Sequence, residues 1–487
     1  MGPPDPGNGR WAHRPPLDTG GITLPELTNI NLIKGHYPLS RLLRLLVRIP
    51  YQGWNLLQMA YLVIWFLGYG RKRIGRRRST EDGQRKVTML SYVAVRYDGR
   101  IRWAATTLAE AGYDVLLIKP ADAENVADVD HGWHKRVSFL STGLSGTTTY
   151  FPYCFDTQMF RAAVKSEAHV YHCHDLNTSL MGLLAAAKTG GFIVSDMHEW
   201  SSEGGSWNNR HNRFKRLAPL KRAVYRRVER LVLQHASAIV TTSLSLAQAM
   251  REALQINRDI VIVRNVPIVE GSLNSERDLR EELGLAREHF LVIYVGSLGP
   301  HRNIDKVIQA LSRAPSVALA VRGMGHHIYG PIWRKLAMDY EVTDRLFVLP
   351  PVSPECIVAS CRGADAGLYT VADVCLNFHY ALGNKIFEYI FAGVPILAAR
   401  YPEVERIVGE WGVGIMFDND DPESIANALN AMACDRRLYS RLRRNVIRVR
   451  HELTVNPEWQ KLVFLYETFS QPVGVIDRVR QDAATGG

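Results

Sequence analysis

A chain of 487 residues is too long for one ordinary hydrophobic core, so two domains plus tails is the expectation. With 46% hydrophobic and 22% charged residues the composition is that of a soluble globular protein, and a net charge of +11 favours anionic partners: nucleotides, phospholipid surfaces or nucleic acid. Six cysteines (154, 173, 356, 361, 375, 434) without any Cys-x-x-Cys spacing exclude a zinc site or a disulfide frame and fit reduced core thiols in a cytosolic setting.

Residues 1–30, rich in Pro and Gly, read as a disordered tail, and no signal peptide is apparent. Residues 31–85 form an apolar and basic segment. From Ile49 to Gly70 there is no charge, and RKRIGRRR (71–78) follows. The uncharged run is long enough to span a bilayer, but Pro50, Gln52, Gly53, Asn55 and Gln58 weaken its first third. Three readings compete: an interfacial anchor, a single span, and a helix packed on the protein's own surface. In the two membrane readings the basic block suits anionic headgroups on the cytoplasmic side.

Strand–helix alternation begins at Lys86. KVTMLSYVAV reads as a strand, IRWAATTLAEAGY as a helix and DVLLIK as a second strand. The first turn, holding Asp98, Gly99 and Arg100, sits where nucleotide-binding folds place ligands. HVYHCHD (169–175), a helix through 187 and GFIVSDMHEW (191–200) continue the pattern. His174 and Asp175 end one strand and His198 and Glu199 the next, all directed at one cleft; His172, two residues back, reads as core. A long helical segment is expected to 235. Its stretch 210–230 carries nine Lys/Arg against one Glu and follows Trp200 and Trp207. SAIVTTS, another helix and DIVIVRNVP complete a doubly wound domain over 86–266.

Residues 267–275 read as a linker. A second alternating run over 276–455 starts at HFLVIYVGSLG and ends in a helix to about 450. Within it, GNKIFEYIFAGVPIL (383–397) poses a question of its own. Ile386, Phe387, Ile390 and Phe391 recur at helical spacing, and Gly393 suits a left-handed C-cap before Pro395. A helix between two buried strands is apolar all round, yet this one keeps Lys385 and Glu388. Burying Glu388 unpaired costs several kcal/mol. Either the two form a local ion pair, or they await a ligand: hydroxyls for Glu388, phosphate for Lys385 and the helix N-terminus. An amphipathic helix (456–470) and a polar tail (471–487) close the chain.

In order, these pieces resemble the retaining glycosyltransferases of family 4, whose GT-B fold faces two Rossmann-like domains across a cleft. The resemblance covers about 86–470, and NKIFEYIFAGVPIL is its most specific part. It implies an α/β fold with an N-terminal acceptor domain and a C-terminal donor domain. It implies that Glu388 binds the ribose hydroxyls of a nucleotide sugar, and that Gly383, Asn384 and Lys385 face its diphosphate. In the turn Gly296–Ser297 the family usually has an arginine where Ser297 stands; Arg302 takes the place of its lysine, so phosphate binding leans on Arg302, Lys385 and Arg322. The first glutamate of the family's acidic pair is here Tyr380. His198 matches the histidine beside the transferred sugar, so His198, Glu388 and Arg302 are the expected catalytic residues. Asp98, Gly99, Arg100, His174, Asp175 and Glu199 are expected on the acceptor side. There is no Asp-x-Asp metal signature suited to a nucleotide-sugar site, so neither metal nor cofactor is expected beside the nucleotide sugar, and nucleic acid is not expected as a partner. The implied activity is retaining transfer of a hexosyl unit to a lipid-linked or polysaccharide acceptor, in cell-envelope or glycolipid synthesis at the cytoplasmic membrane face. A soluble-acceptor transferase and a GT-B nucleotide-sugar epimerase are the alternatives.

Overall fold

A computed structural model describes residues 38–76, 85–92, 98–120, 133–142, 155–208, 213–269, 278–455 and 457–469. The tails over 1–30 and 471–487, and most of the linker, lie outside them. The chain clusters into two units, one ending at Gly53 and one from Trp54 on; both lobes and the site belong to the second.

The N-terminal lobe is a seven-stranded parallel sheet in the order β3-β2-β1-β4-β5-β8-β9. Its strands are β1 (Lys86–Leu90), β2 (Asp114–Pro120), β3 (Val137–Thr142), β4 (Val170–His174), β5 (Phe192–Met197), β8 (Ala238–Thr241) and β9 (Ile260–Ile262). Helices α2 (Gly99–Glu110), α3 (Thr157–Ser166), α4 (Leu176–Thr189), α5 (Pro219–His235) and α6 (Leu244–Leu254) cover its faces. The central strands are buried almost end to end, as strands covered on both faces must be, so they read as apolar runs without alternation. Asp98 starts α2 by accepting from the N–H groups of Arg100 (3.0 Å) and Ile101 (3.3 Å), two of the donors a helix start leaves over.

The C-terminal lobe is a six-stranded parallel sheet, β12-β11-β10-β13-β14-β15. It is built from β10 (Phe290–Val295), β11 (Val317–Arg322), β12 (Leu346–Leu349), β13 (Ala366–Tyr369), β14 (Ile396–Ala399) and β15 (Gly414–Phe417). Its main helices are α7 (Leu279–Leu283), α8 (Ile304–Leu311), α9 (His326–Asp339), α10 (Leu376–Tyr380), α11 (Lys385–Ala392), α12 (Pro422–Cys434) and α13 (Arg436–Val455). In both sheets the strand order reverses beside the first strand, between β1 and β4 and between β10 and β13. Such switch points leave a crevice at the carboxyl ends of the strands. A last helix, α14 (Gln460–Thr468), returns to the N-terminal lobe, where Tyr466 packs edge-on to Tyr113 and Trp459 lies beside Trp103.

Three expectations change. The segment after Trp200 is not one long helix: Gly205–Asn208 (β6) and Arg213–Arg216 (β7) form an antiparallel hairpin, and α5 starts only at Pro219. Pro219 explains the late start, because a proline fits the first helical turn and not its interior. The five cysteines among the described residues are free, but of these only Cys173, Cys361 and Cys375 are core thiols; Cys356 is half-buried and Cys434 exposed, and Cys154 lies outside the described residues. The uncharged run belongs to α1 (Pro38–Gly68), and among the described residues no helix is long and apolar enough to cross a membrane. From Trp54 on, one face of α1 packs on the N-terminal lobe. Asn55 accepts from the backbone N–H and hydroxyl of Thr157 (3.1 and 2.6 Å), and Leu62 and Phe66 join the core, Phe66 edge-on to His235. The other face leaves Trp54, Leu57, Tyr61 and Ile64 in solvent.

Candidate active site

The donor half forms around the turn after β10 and the start of α11. Gly296 has φ of +123°, which side chains disfavour, and a Cβ there would stand 2.8 Å from Cε of Lys385. The glycine therefore lets the Lys385 stem cross the turn, and its ammonium lies 5.2 Å from the centre of the Tyr294 ring. Ser297 is exposed on the same turn. Glu388, one turn into α11, is 9% exposed. It forms no ion pair with Lys385 and accepts no hydrogen bond among the described residues. Burial raises its carboxyl to about 7, against the pull of Lys385; burial, then Arg302, lower the Lys385 amine to about 7, against the pull of Glu388. Arg302 contributes a second unspent group, a buried Nε with no acceptor. The local-ion-pair reading of Lys385 and Glu388 thus does not describe the structure. Lys385 lies within electrostatic reach of both Glu388 and the Arg302 guanidinium, whose buried Nε has no acceptor.

The acceptor half hangs on Asp196, which the sequence reading missed. Its carboxylate is 1% exposed and takes Nε (2.9 Å) and Nη2 (2.6 Å) of Arg100. Burial alone would raise its pKa; Arg100, then His198, hold it well below the usual carboxylate range. His172 (Nε2, 3.3 Å) and His198 (Nε2, 3.4 Å) also approach it. His198 Nδ1 stands 3.6 Å from Asp175, and its Nε2 is 3.0 Å from Nδ1 of His174. Burial would lower the His198 pKa, but Asp175 and Asp196 outweigh it and lift it to about 9, so this imidazole is cationic at neutral pH. Burial, then the neighbouring imidazoles, keep His174 well below its ordinary value. A neutral His174 accepts from His198 on Nδ1, which leaves its own Nε2 buried without a partner.

Asp175 adopts φ of +61° and turns its Oδ1 to the backbone N–H groups of His198 (2.8 Å) and Glu199 (3.2 Å), so it fixes the loop as well as the ring. Glu199 stays accessible to water but is enclosed by both lobes. That enclosure, then Asp175, raise its carboxyl to about 7, while His198 and Arg302 pull it down. Arg302 of one lobe therefore faces Glu199 of the other. Asp98 belongs to the same field of charge.

Two expected site residues are committed elsewhere. Arg100 does not line the cleft; it is 1% exposed and braces Asp196 from behind. Arg322, at the end of β11, pairs with Glu282 and leans on the Pro350 carbonyl (3.4 Å), so its Nη groups are engaged inside the lobe, while its Nε, like that of Arg302, has no acceptor. Gly99 has a packing reason for being glycine: a Cβ there would sit 2.9 Å from the Trp103 indole. His172 is core, as expected, with Nδ1 2.8 Å from the Tyr466 hydroxyl. His172, His174 and Asp196 are close enough together to hold a cation, but the Arg100 guanidinium already occupies that carboxylate. Tyr380, in the place of an acidic residue, sets its ring 6.5 Å from that of Trp200 at a tilt of 43° and accepts from the Ser243 hydroxyl (3.1 Å) through its carbonyl. With Trp200 N–H donating to Asn377 (2.7 Å), this makes α10 a bridge between lobes. The sequence signal for Asp196 was an aspartate in a buried strand two residues before His198, and hence on the same face.

Comparison with known proteins agrees with this architecture. Residues 99–266 match the glycosyl transferase 4-like domain, and residues 275–449 match the glycosyl transferases group 1 family. The D-inositol 3-phosphate glycosyltransferase of Nocardia farcinica is 27% identical over 231 residues, 45% of this chain and 49% of that protein. Its counterpart in Xylanimonas cellulosilytica is 29% identical over 174 residues, 35% of this chain and 40% of that protein. The chain thus spans about half the length, or less, of these curated relatives. Among solved structures, sucrose-phosphate synthase from Thermosynechococcus elongatus superposes with a TM-score of 0.61 at 15% identity, covering 79% of this chain and 98% of that one. Anabaena HepE, solved with UDP and glucose, gives 0.58 at 17% identity over 79% and 99%. Two lobes of the same fold, two family matches that together take in both of them, and a charged interlobe site place this chain among the group 1 glycosyltransferases of family 4, with the GT-B fold.

Proposed function

We propose that the protein transfers a hexosyl-type sugar from a nucleotide-diphosphate sugar to a hydroxyl acceptor, with retention and without a metal. The observation that carries this reading is a buried carboxylate, Glu388, that accepts no hydrogen bond among the described residues and lies near Lys385, which in turn feels an Arg302 whose buried Nε has no acceptor. Glu388 accepts the two ribose hydroxyls. Arg302, Lys385 and the start of α11 take the diphosphate. As the bond from the anomeric carbon to the diphosphate breaks, negative charge grows on the leaving oxygen, and cations already aimed there lower the barrier. The acceptor hydroxyl attacks from the same face, and the departing phosphate oxygen takes its proton. His198, held as a cation by Asp175 and Asp196, donates to a sugar hydroxyl or to phosphate on the acceptor side.

The acceptor reading is a lipid-linked or polysaccharide saccharide, handled at the cytoplasmic face of a membrane during cell-envelope or glycolipid synthesis. The exposed apolar face of α1, followed by Arg71, Lys72 and Arg73, supports a membrane-surface site. A soluble acceptor is the second reading. It is favoured by the curated relatives, named for transfer to D-inositol 3-phosphate. A donor screen separates them: release of UDP, GDP or ADP is measured with lipid extract or with an inositol phosphate as acceptor. Release that needs lipid extract upholds the first reading, and release with the soluble phosphate alone the second. Conversion of donor to its epimer with no acceptor present ends both.

A further inference from the structure

Two side-chain amides meet across the lobes. Asn265, just after β9, donates from Nδ2 to Oδ1 of Asn384, the residue that starts α11 (2.6 Å). Its own Oδ1 accepts from Nη1 of Arg100 (2.7 Å), which also reaches the carbonyl of Val263 (2.7 Å). Arg100 holds Asp196, and Asp196 lies against His198. An unbroken series of contacts therefore runs His198–Asp196–Arg100–Asn265–Asn384. At its far end the Asn384 carbonyl accepts the backbone N–H groups of Phe387 (3.0 Å) and Glu388 (3.1 Å), the first turn of the donor helix.

We propose that Arg100 and Asn265 are positioning residues: they register closure of the lobes and align His198 with the N-terminus of α11, so that acceptor and donor halves are set together. It rests on the function above for what is being aligned. Three features support it. Asp196 and Arg100 are 1% exposed and Asn265 8%, so water is kept from the Arg100 bonds, while the Asn265–Asn384 bond is part-buried. The Arg100 charge pulls on Oδ1 of Asn265 and makes its amide N–H a stronger donor, so the series is cooperative. Other interlobe bonds end on α10 or on Glu403 (Ser245 N–H to Oε2, 2.9 Å), whereas this one ends on the residue that anchors Lys385 and Glu388. A bond with one partner in each lobe breaks when the lobes part, and the helix start then loses its brace.

A double-mutant cycle with hydrogen–deuterium exchange tests this on the full chain. Asn265→Ala is expected to speed exchange at 385–392, in the other lobe, and to lower kcat/KM about tenfold, the size of one coupled contact. Asn384→Ala is expected to speed exchange at 196–200, and the double variant to lose no more than either single one. Losses that multiply to about a hundredfold, or exchange at 385–392 unchanged in Asn265→Ala, overturn it. Should Asn265→Ala fail to fold, Asn384→Ala decides, since unchanged exchange at 196–200 overturns the coupling equally. A wild-type protein inactive on every nucleotide sugar leaves the exchange result standing and sinks the proposed function instead.

Discussion

A buried carboxylate with no donor is a liability of several kcal/mol, and Glu388 carries it one turn from a helix start that favours anions. Among the described residues nothing donates to it, and the proposed function accounts for the position by the hydroxyls it would bind. Glu388→Ala and Arg302→Ala are each expected to lower transfer by about 10²-fold or more. Near-normal turnover in both purified variants would remove the site. His198 gives a second test. Its folded pKa of about 9 lies above its ordinary 6.5, so the protonated ring stabilises the fold fully below about 6.5, and that contribution is lost as pH rises through about 9. Thermal midpoints are expected to fall over this window, and His198→Gln to flatten the fall. If transfer uses the imidazolium, the rate declines over the same range; a rate still climbing at pH 10 contradicts that. Glu388, His198 and Arg302 stand out in the sequence because each breaks a local pattern or matches a motif. Arg100 and Arg322 misled because an arginine in a turn or at a strand end looks the same whether it meets a ligand or a buried acid; only the fold brings Asp196 and Glu282 to them.

At the scale of elements, parallel strands were legible because burial on both faces writes them as apolar runs, and α11 because its caps and spacing agree. The hairpin at 205–216 was not. Its residues are basic and polar, and what holds it is remote: Phe214 packs 6.0 Å from Phe378 of the other lobe, a contact no local pattern announces. Helix α1 shows the opposite difficulty. The fold accounts for one side of its uncharged run and leaves the other side exposed. Asn55, Leu62 and Phe66 face inward, while Trp54, Leu57, Tyr61 and Ile64 recur three or four residues apart on the free side. Seven of the eighteen exposed large hydrophobic side chains among the described residues fall between Trp54 and Tyr69, too many for chance scatter. The full chain is expected to float with anionic vesicles and to stay behind with neutral ones. Leu57→Ser with Ile64→Ser is expected to abolish flotation without changing turnover on a soluble acceptor. Equal recovery of wild type and variant would mean that another surface makes the contact.

At the scale of the whole molecule, the site lies between two lobes that are each a complete parallel sheet, so its geometry depends on what holds them in register. Part of that is α14, which leaves the C-terminal lobe and packs on the N-terminal one. Trp459, just before it, is 3% exposed and donates its indole N–H to the Val266 carbonyl (2.8 Å), next to Asn265. Its ring centre lies 5.3 Å from the Arg100 guanidinium and 6.0 Å from the ring of Trp103. One side chain thus covers the cation that organises the acceptor half and pins the crossing between lobes. Trp459→Ala removes a large buried ring, leaves a carbonyl without its donor and opens Arg100 to water. A loss of about 3–5 kcal/mol is expected from the ring, by urea unfolding followed by circular dichroism. Trp459→Phe keeps most of the packing and forfeits the hydrogen bond, and is expected to lose about 1 kcal/mol. Because the ring sits on the N-terminal lobe, the shift belongs to that lobe's transition if the two unfold separately. An alanine variant that unfolds at the wild-type urea concentration would show that α14 is a passenger and that the lobes are registered by the direct bonds between them, those of α10, Glu403 and Asn384.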